Sequence, residues 1–277
     1  MRLLQLTDLH FGSFPFKGED KRTEALVRNM VKALEPDLLV LTGDIHWSLE
    51  SGSLTILSGV LDFFDSLHVP IAITWGNHDS ESVYNRRVLK ELVYHMKHHV
   101  EKRGLASVEG RELYYFDAGN YRLYLLDSGD YDEDHNYAYV YEEQIRDLIA
   151  LDGGEGKEGL LFMHIPVVEF DDAKKAGLAV GNKDETVCAP VKNTGLVDAL
   201  LKESTVRHIF VGHDHDNDFT ANWRGMNLYY GRITGYNAYG DLPRGARLIE
   251  LTEAGVESRI VEESLDTELS SHLQWIR

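Results

Sequence analysis

Leu41-Thr42-Gly43-Asp44-Ile45-His46-Trp47 is the stretch on which the reading of this 277-residue chain turns. The residues leading into it, Asp37-Leu38-Leu39-Val40-Leu41, give an apolar run that reads as a buried strand. The run ends in a small residue and then a carboxylate, which places Asp44 at the strand's C-terminal mouth. In open α/β sheets ligands bind outside the carboxyl ends of the strands, so a charged residue there is better explained by a site than by packing. Asp44 is therefore read as a site residue, around which the other candidates are sought.

The same layout recurs along the chain. Residues 2–7 are a short strand running into Asp8-Leu9-His10. Between Asp20 and Leu34 the apolar residues Leu26, Val27, Met30, Val31 and Leu34 recur at helical spacing, and Pro36 stops that helix. Leu54, Leu57, Leu61 and Phe64 mark a second helix, and residues 70–74 a third strand ending in Trp75-Gly76-Asn77-His78-Asp79. A long helix is expected over 81–102, with Val83, Leu89, Leu92, Val93, Met96 and Val100 toward the core. The pattern then turns to paired strands, 112–117 and 121–127, around Ala118-Gly119-Asn120. A helix over 141–151, a surface turn at 153–156 and a strand over 159–163 deliver His164-Ile165-Pro166. Residues 167–193 read as a long functional loop over the site. Thr194 is expected to cap a helix to about Lys202, and a strand over 206–211 ends in Gly212-His213-Asp214-His215. Strands near 219–222, 226–230, 246–251 and 256–261 close the chain. With no repeat or linker in sight, a single domain over 1–277 is expected.

A hydrophobic fraction of 43% is enough for a substantial core, and a formal net charge of -18 argues against non-specific grip on phosphodiester backbones. The single cysteine, Cys188, excludes an internal disulfide. With no leader-like segment at the N-terminus and no apolar run near the ~20 residues needed to span a bilayer, a cytoplasmic location is expected.

Five strand ends thus carry Asp8 and His10, Asp44, Asn77 and His78, His164, and His213 and His215. Singly each is a weak signal; jointly they are strong. Oxygen and imidazole donors without thiolate suit Mn, Fe, Co or Zn, whereas Mg or Ca would prefer an all-oxygen cage. Two cations close together repel, so a shared anion is needed between them, and Asp44 is the choice for that bridge. Two divalent ions with Asp8 and Asp44 ionised and four neutral imidazoles leave about +2, lowered to about +1 by a bridging hydroxide. The pocket stays positive inside an acidic protein. No Walker-type phosphate cradle is present, so the metals must both hold a phosphoryl oxygen and make the nucleophile.

The order Asp8-x-His10, Gly43-Asp44, Gly76-Asn77-His78-Asp79, His164-x-Pro166 and Gly212-His213-x-His215 resembles the calcineurin-like metallophosphoesterases. The resemblance implies a four-layer α/β/β/α sandwich of two mixed β-sheets flanked by helices. It assigns one metal to Asp8, His10, Asp44 and His215 and the other to Asp44, Asn77, His164 and His213. By the same resemblance His78 faces the substrate, where it would stabilise the pentacoordinate phosphorus or protonate the leaving oxygen. Ile45-His46-Trp47-Ser48 departs from the protein serine/threonine phosphatases, which place a second Asp and an Arg after Gly-Asp. Trp47 stands where purple acid phosphatases place a Tyr ligand, yet residues 212–218 and 236–240 look similar to a purple-acid-phosphatase-related branch lacking it.

The expected activity is metal-dependent hydrolysis of a small phosphomonoester or phosphodiester by attack of a metal-bridging hydroxide, with two divalent or trivalent transition-metal ions. A nuclease, or a non-catalytic scaffold binding a protein partner, are the alternatives. Asp79 is expected either to orient His78 or to cap the following helix. His46 reads as a loop residue, the His95, His98 and His99 cluster as a solvated helix face, and Cys188 as inert. For Arg86, Arg87, Asn193 and Arg232 a surface position is favoured over a phosphate contact. The Tyr-rich run 130–141 lines the cleft or packs over the second sheet.

Overall fold

Alternation along the first strands decides the layers. In β1 (Arg2–Leu6) Leu4 and Leu6 pack against helices α1 (Glu19–Leu34) and α2 (Ser53–Asp65), while Leu3 turns the opposite way. β2 (Leu38–Thr42) repeats this, with Leu39 and Leu41 toward the helices and Leu38 and Val40 away from them. Each fully buried Leu contributes roughly 1.5–3 kcal/mol, so both faces of this sheet must be covered. The computed structural model, which describes residues 1–81, 84–153 and 156–263, shows how.

β3 (Ile71–Thr74) joins β1 and β2 in parallel, and β11 (Gly245–Thr252) and β12 (Gly255–Glu262) add antiparallel strands, giving the order β12-β11-β1-β2-β3. The second sheet is built from β4 (Arg103–Val108), β5 (Arg111–Ala118), β6 (Tyr121–Leu126), β7 (Glu158–Phe162), β8 (Val206–Val211), β9 (Thr220–Trp223) and β10 (Met226–Tyr230). Its order is β4-β5-β6-β7-β8-β10-β9, again mixed. Leu3, Leu38 and Val40 of the first sheet meet Leu123, Leu125, Leu160, Phe162 and Phe210 of the second. Helices α4 (Glu142–Asp152), α5 (Glu169–Lys175) and α6 (Leu196–Glu203) cover the outer face of the second sheet through Leu148, Phe170 and Leu200. The result is the four-layer α/β/β/α sandwich expected from the sequence. Among the described residues no helix is long and apolar enough to cross a membrane.

Polar links stitch the mouths of the two sheets together. The buried Gln5 amide donates to Thr42 Oγ1 and to the Val211 carbonyl, both at 3.0 Å. His164 Nδ1 lies 2.8 Å from the Thr42 carbonyl, and Gly212 N donates to the His164 carbonyl at 3.0 Å. The strand ends of both sheets therefore open onto one shared edge.

The helix expected over 81–102 is replaced by a shorter one, α3 (Arg86–Val93). Val83 lies outside the described residues, as do Gly154 and Glu155 of the 153–156 turn. Beyond Val93 the chain turns and then, at His98–Val100, runs along β3, an edge strand whose free backbone groups need partners. Ile71 N donates to the His98 carbonyl and Val100 N to the Ile71 carbonyl, each at 2.8 Å. His98 and His99 are consequently half-buried along that edge rather than on a solvated helix face. The 167–193 segment holds α5 before it becomes irregular. Thr194 does not cap α6: its hydroxyl donates to the Val140 carbonyl, and Gly195 occupies the cap with φ 77°.

Candidate metal centre

The shared edge brings together donors from both sheets. Asp8, His10 and His215 form one buried group and Asp44, His164 and His213 a second, the candidate ligand atoms of each lying within 4.8 Å of one another. The groups meet at Asp44 Oδ2, which is 3.6 Å from His10 Nε2 and 3.2 Å from His164 Nε2. Asp44 Oδ1 is occupied by the His78 backbone N–H at 2.9 Å, so Oδ2 is the oxygen left facing both sides. His215 Nε2 lies 3.4 Å from Asp8 Oδ1 and 3.4 Å from His10 Nε2. His164 Nε2 is 3.2 Å from Asn77 Oδ1 and 3.3 Å from His213 Nδ1, which brings Asn77 into the second group.

This convergence needs an unusual backbone. Asp8, His10, Asp44 and His213 all take positive φ, at 53°, 48°, 49° and 82°. Non-glycine residues rarely adopt that region, and each instance costs about 1–3 kcal/mol, so the rest of the fold must hold it in place. Glycines supply the close approach: a Cβ on Gly76 would strike the Asp44 carboxylate, and one on Gly43 would strike the Gly76 backbone. The Thr42 and Tyr239 carbonyls face His164 Nδ1 and His215 Nδ1 at 2.8 and 3.1 Å, turning each Nε2 into the pocket.

The electrostatics suit cations. Burial would raise the Asp8 carboxyl, but its hydrogen bond to His215 and the neighbouring imidazoles hold it at about 2. Asp44, against the same burial, is kept well below the usual carboxylate range by His164. Burial pulls His10 down to about 4 and His213 to about 3, leaving neutral rings with free lone pairs. His164, which burial alone would lower, is raised to about 9 by Asp44. His10 Nδ1 and His213 Nε2 have no hydrogen-bond partner among the described residues. Two ionised carboxylates, a carboxamide oxygen and four imidazoles packed without full hydrogen bonding fit a pair of transition-metal ions.

His78 stands at the rim, its side chain 29% exposed, with Nδ1 2.8 Å from Glu81 Oε2. Burial lowers its pKa, but the hydrogen bond to Glu81 and the charge of Asp44 outweigh this and leave it raised. Asp79 fills neither role expected of it. Fully buried, its carboxylate accepts the backbone N–H groups of Ile45 (2.8 Å), His46 (3.2 Å) and Gly76 (2.8 Å), clamping the Asp44 loop to the Asn77 loop. His46 Nδ1 sits 3.2 Å from the same carboxylate, which keeps that ring out of the cleft. Trp47 packs on His10 and His78, with ring centroids 4.1 and 4.8 Å apart. Within the Tyr-rich run, Tyr137 meets His213 edge-on at 4.3 Å and lines the cleft, whereas Tyr139 packs against Tyr141 and Lys192.

Other sequence candidates lie elsewhere. Arg86 and Arg232, expected at the surface, are buried as ion pairs with Asp127 at 3.0 Å and with Asp218. Arg87 is exposed, and Asn193 bonds Glu169 at 3.1 Å. Burial pushes the Cys188 thiol up to about 12, which suits an inert group. Glu81 has no functional signal in the sequence, and Tyr131 stands out there only as a member of the Tyr-rich run. The Tyr131 hydroxyl lies between Glu81 Oε1 (3.0 Å) and Asn77 Nδ2 (3.1 Å).

A sandwich whose strand ends present these donors around one aspartate defines a dimetal phosphoesterase class. The family model for the calcineurin-like phosphoesterases matches residues 1–217, and the chain belongs to that family. It is 26% identical over 307 aligned positions to "Probable inactive purple acid phosphatase 14" of Arabidopsis thaliana, covering 92% of this chain and 75% of that one. A dimetal phosphatase from Danio rerio superposes with a TM-score of 0.68 at 17% identity, covering 95% of this chain and 99% of that one. GAP50, described as the anchor in the inner membrane complex of Plasmodium, gives a TM-score of 0.60 at 12% identity, with 95% and 84% covered.

Proposed function

We propose that this protein is a dinuclear metal-dependent phosphoesterase acting on a small phosphomonoester or phosphodiester, with the whole of 1–277 as one domain. The observation that carries the reading is Asp44 Oδ2, which faces His10 on one side and His164 on the other. Asp8, His10, Asp44 and His215 would hold one ion, and Asp44, Asn77, His164 and His213 the other. When bound, two ions of the Mn, Fe, Zn or Co class supply a nucleophile near neutral pH and positive charge for the phosphoryl oxygens. The chain's own residues do the rest. His78, engaged by Glu81 through Nδ1, has Nε2 left to donate a proton to the leaving oxygen. Asp79 is a positioning residue that keeps the Asp44 and Asn77 loops in register.

The test is turnover of p-nitrophenyl phosphate against bis-p-nitrophenyl phosphate by Mn-loaded protein, read as p-nitrophenol release. Hydrolysis of either supports the reading, and their ratio sets monoester against diester preference. No turnover of either with two Mn equivalents bound overturns it. In that event the second reading, a scaffold that binds a protein partner, takes its place. What favours it is the word "inactive" in the name of the Arabidopsis relative. A nuclease is disfavoured by the net charge of -18.

A further inference from the structure

Asn77 presents two chemically different ends, and only one of them can serve a cation. Its Oδ1 faces His164 Nε2 at 3.2 Å, while its Nδ2 donates to the Tyr131 hydroxyl at 3.1 Å. A half-turn of the amide would swap oxygen and nitrogen and put an N–H₂ group, which has no lone pair to give, among the metal donors. Something must fix the choice. An ionised Glu81 is acceptor-only, so its Oε1, 3.0 Å from the Tyr131 oxygen, takes that hydroxyl's single proton. The phenol oxygen then shows Asn77 only lone pairs, which accept from the amide nitrogen and reject the amide oxygen. The other Glu81 oxygen lies 2.8 Å from His78 Nδ1, so the same carboxylate sets the ring on the leaving-group side.

Tyr131 is itself held from behind. Its backbone N–H donates to Asp130 Oδ1 at 2.8 Å, and Ser80 Oγ donates to Asp130 Oδ2 at 2.9 Å. Its ring stacks on Tyr137 at 5.9 Å, and Tyr137 meets His213. We propose that Tyr131 is a positioning residue that fixes the amide orientation of Asn77 and, through Glu81, the ring of His78. Occupancy of the Asn77 side of the metal pair and protonation of the leaving group are thereby coupled through one phenol. This rests on the dinuclear reading above.

The experiment compares wild type with Tyr131→Phe and Glu81→Gln, using Mn²⁺ alone as the probe in a calorimetric titration and then p-nitrophenyl phosphate or its bis ester as substrate. In Tyr131→Phe the first Mn²⁺ equivalent should bind within twofold of wild type and the second about tenfold or more weakly. With both sites saturated, kcat should fall about tenfold and KM stay within twofold. Glu81→Gln keeps an acceptor for the phenol, so both Mn²⁺ affinities should hold while kcat falls. Metal-free melting temperatures within about 2 °C of wild type separate these losses from misfolding. Tyr139→Phe, whose ring packs over Lys192, is the control with no expected change in either readout. Wild type that fails to take a second Mn²⁺ overturns the dinuclear reading and this proposal with it. Two Mn²⁺ in wild type, with Tyr131→Phe matching it in the second affinity and in kcat, overturns the role of Tyr131 alone.

Discussion

Two histidine-rich regions lie beside β3, and they differ in how their nitrogens are satisfied. At the strand's mouth the His10, His164, His213 and His215 rings converge on Asp8, Asp44 and one another. Along its outer edge His98 Nδ1 is 2.9 Å from Asp65, and His99 Nδ1 is 2.7 Å from the Val100 carbonyl. Burial pulls His99 down to about 4, just as it does His10. Buried, neutral imidazole is therefore common to both places and marks neither. The mouth is set apart by lone pairs turned toward a shared point and by a backbone forced to positive φ to aim them. The edge histidines serve local packing.

The sharpest way to break this contrast is Asp44→Ala, which removes the oxygen facing both donor groups. Uptake of both Mn²⁺ equivalents should be lost, and turnover of the p-nitrophenyl esters should fall by about 10²–10³-fold or more. Retention of two tight Mn²⁺ would mean that Asp44 is not shared. Next in size is Gly76→Ala, whose Cβ would collide with the Asp44 carboxylate. Urea unfolding of the metal-free variant should show a loss of about 1–3 kcal/mol, accompanied by weaker metal binding.

The smallest effect on metal binding and turnover belongs to the edge. His99 has a folded pKa of about 4 against an ordinary value of 6.5, so between them the unfolded chain binds a proton that the folded chain refuses. Its contribution is fully favourable above pH 6.5 and is lost as pH falls toward 4. Replacing it as His99→Gln should flatten the acid limb of stability by on the order of 2 kcal/mol, taken as the difference between variant and wild type at pH 7.5 and 4.5. Mn²⁺ stoichiometry in that variant should equal wild type. A lost equivalent there would collapse the distinction between the two regions.

The four-layer fold and the division of the donors between two ions follow from the family resemblance, while the strand ends that carry those donors are legible in the residues themselves. Parallel strands buried on both faces leave apolar runs, and a polar residue that ends each run stands out against them. Asp8, Asp44, Asn77, His164 and His213 all sit where such a run stops. What stayed hidden depends on partners distant in sequence. Residues 94–100 continue the helical spacing, yet the chain turns at His95 and Met96 and then pairs His98–Val100 with the open edge of β3. Arg86 and Arg232 look like surface cations until Asp127 and Asp218 are placed beside them. Asp79 could be expected to act on its neighbours in sequence, yet its carboxylate reaches back to Ile45 and His46. Tyr131 is marked only as part of a Tyr-rich run, and nothing local singles it out, since its hydroxyl acts across about fifty residues to both Asn77 and Glu81.

The left-handed residues at the mouth carry a consequence for how such a chain drifts. Glycine at His10 or His213 would relax the main chain while removing a candidate metal donor, so on the main chain's account alone that exchange is downhill. A lineage released from its reaction would shed these side chains first and grow more robust by doing so. Asp8, His10, Asp44 and His213 all stand at such left-handed positions in this polypeptide.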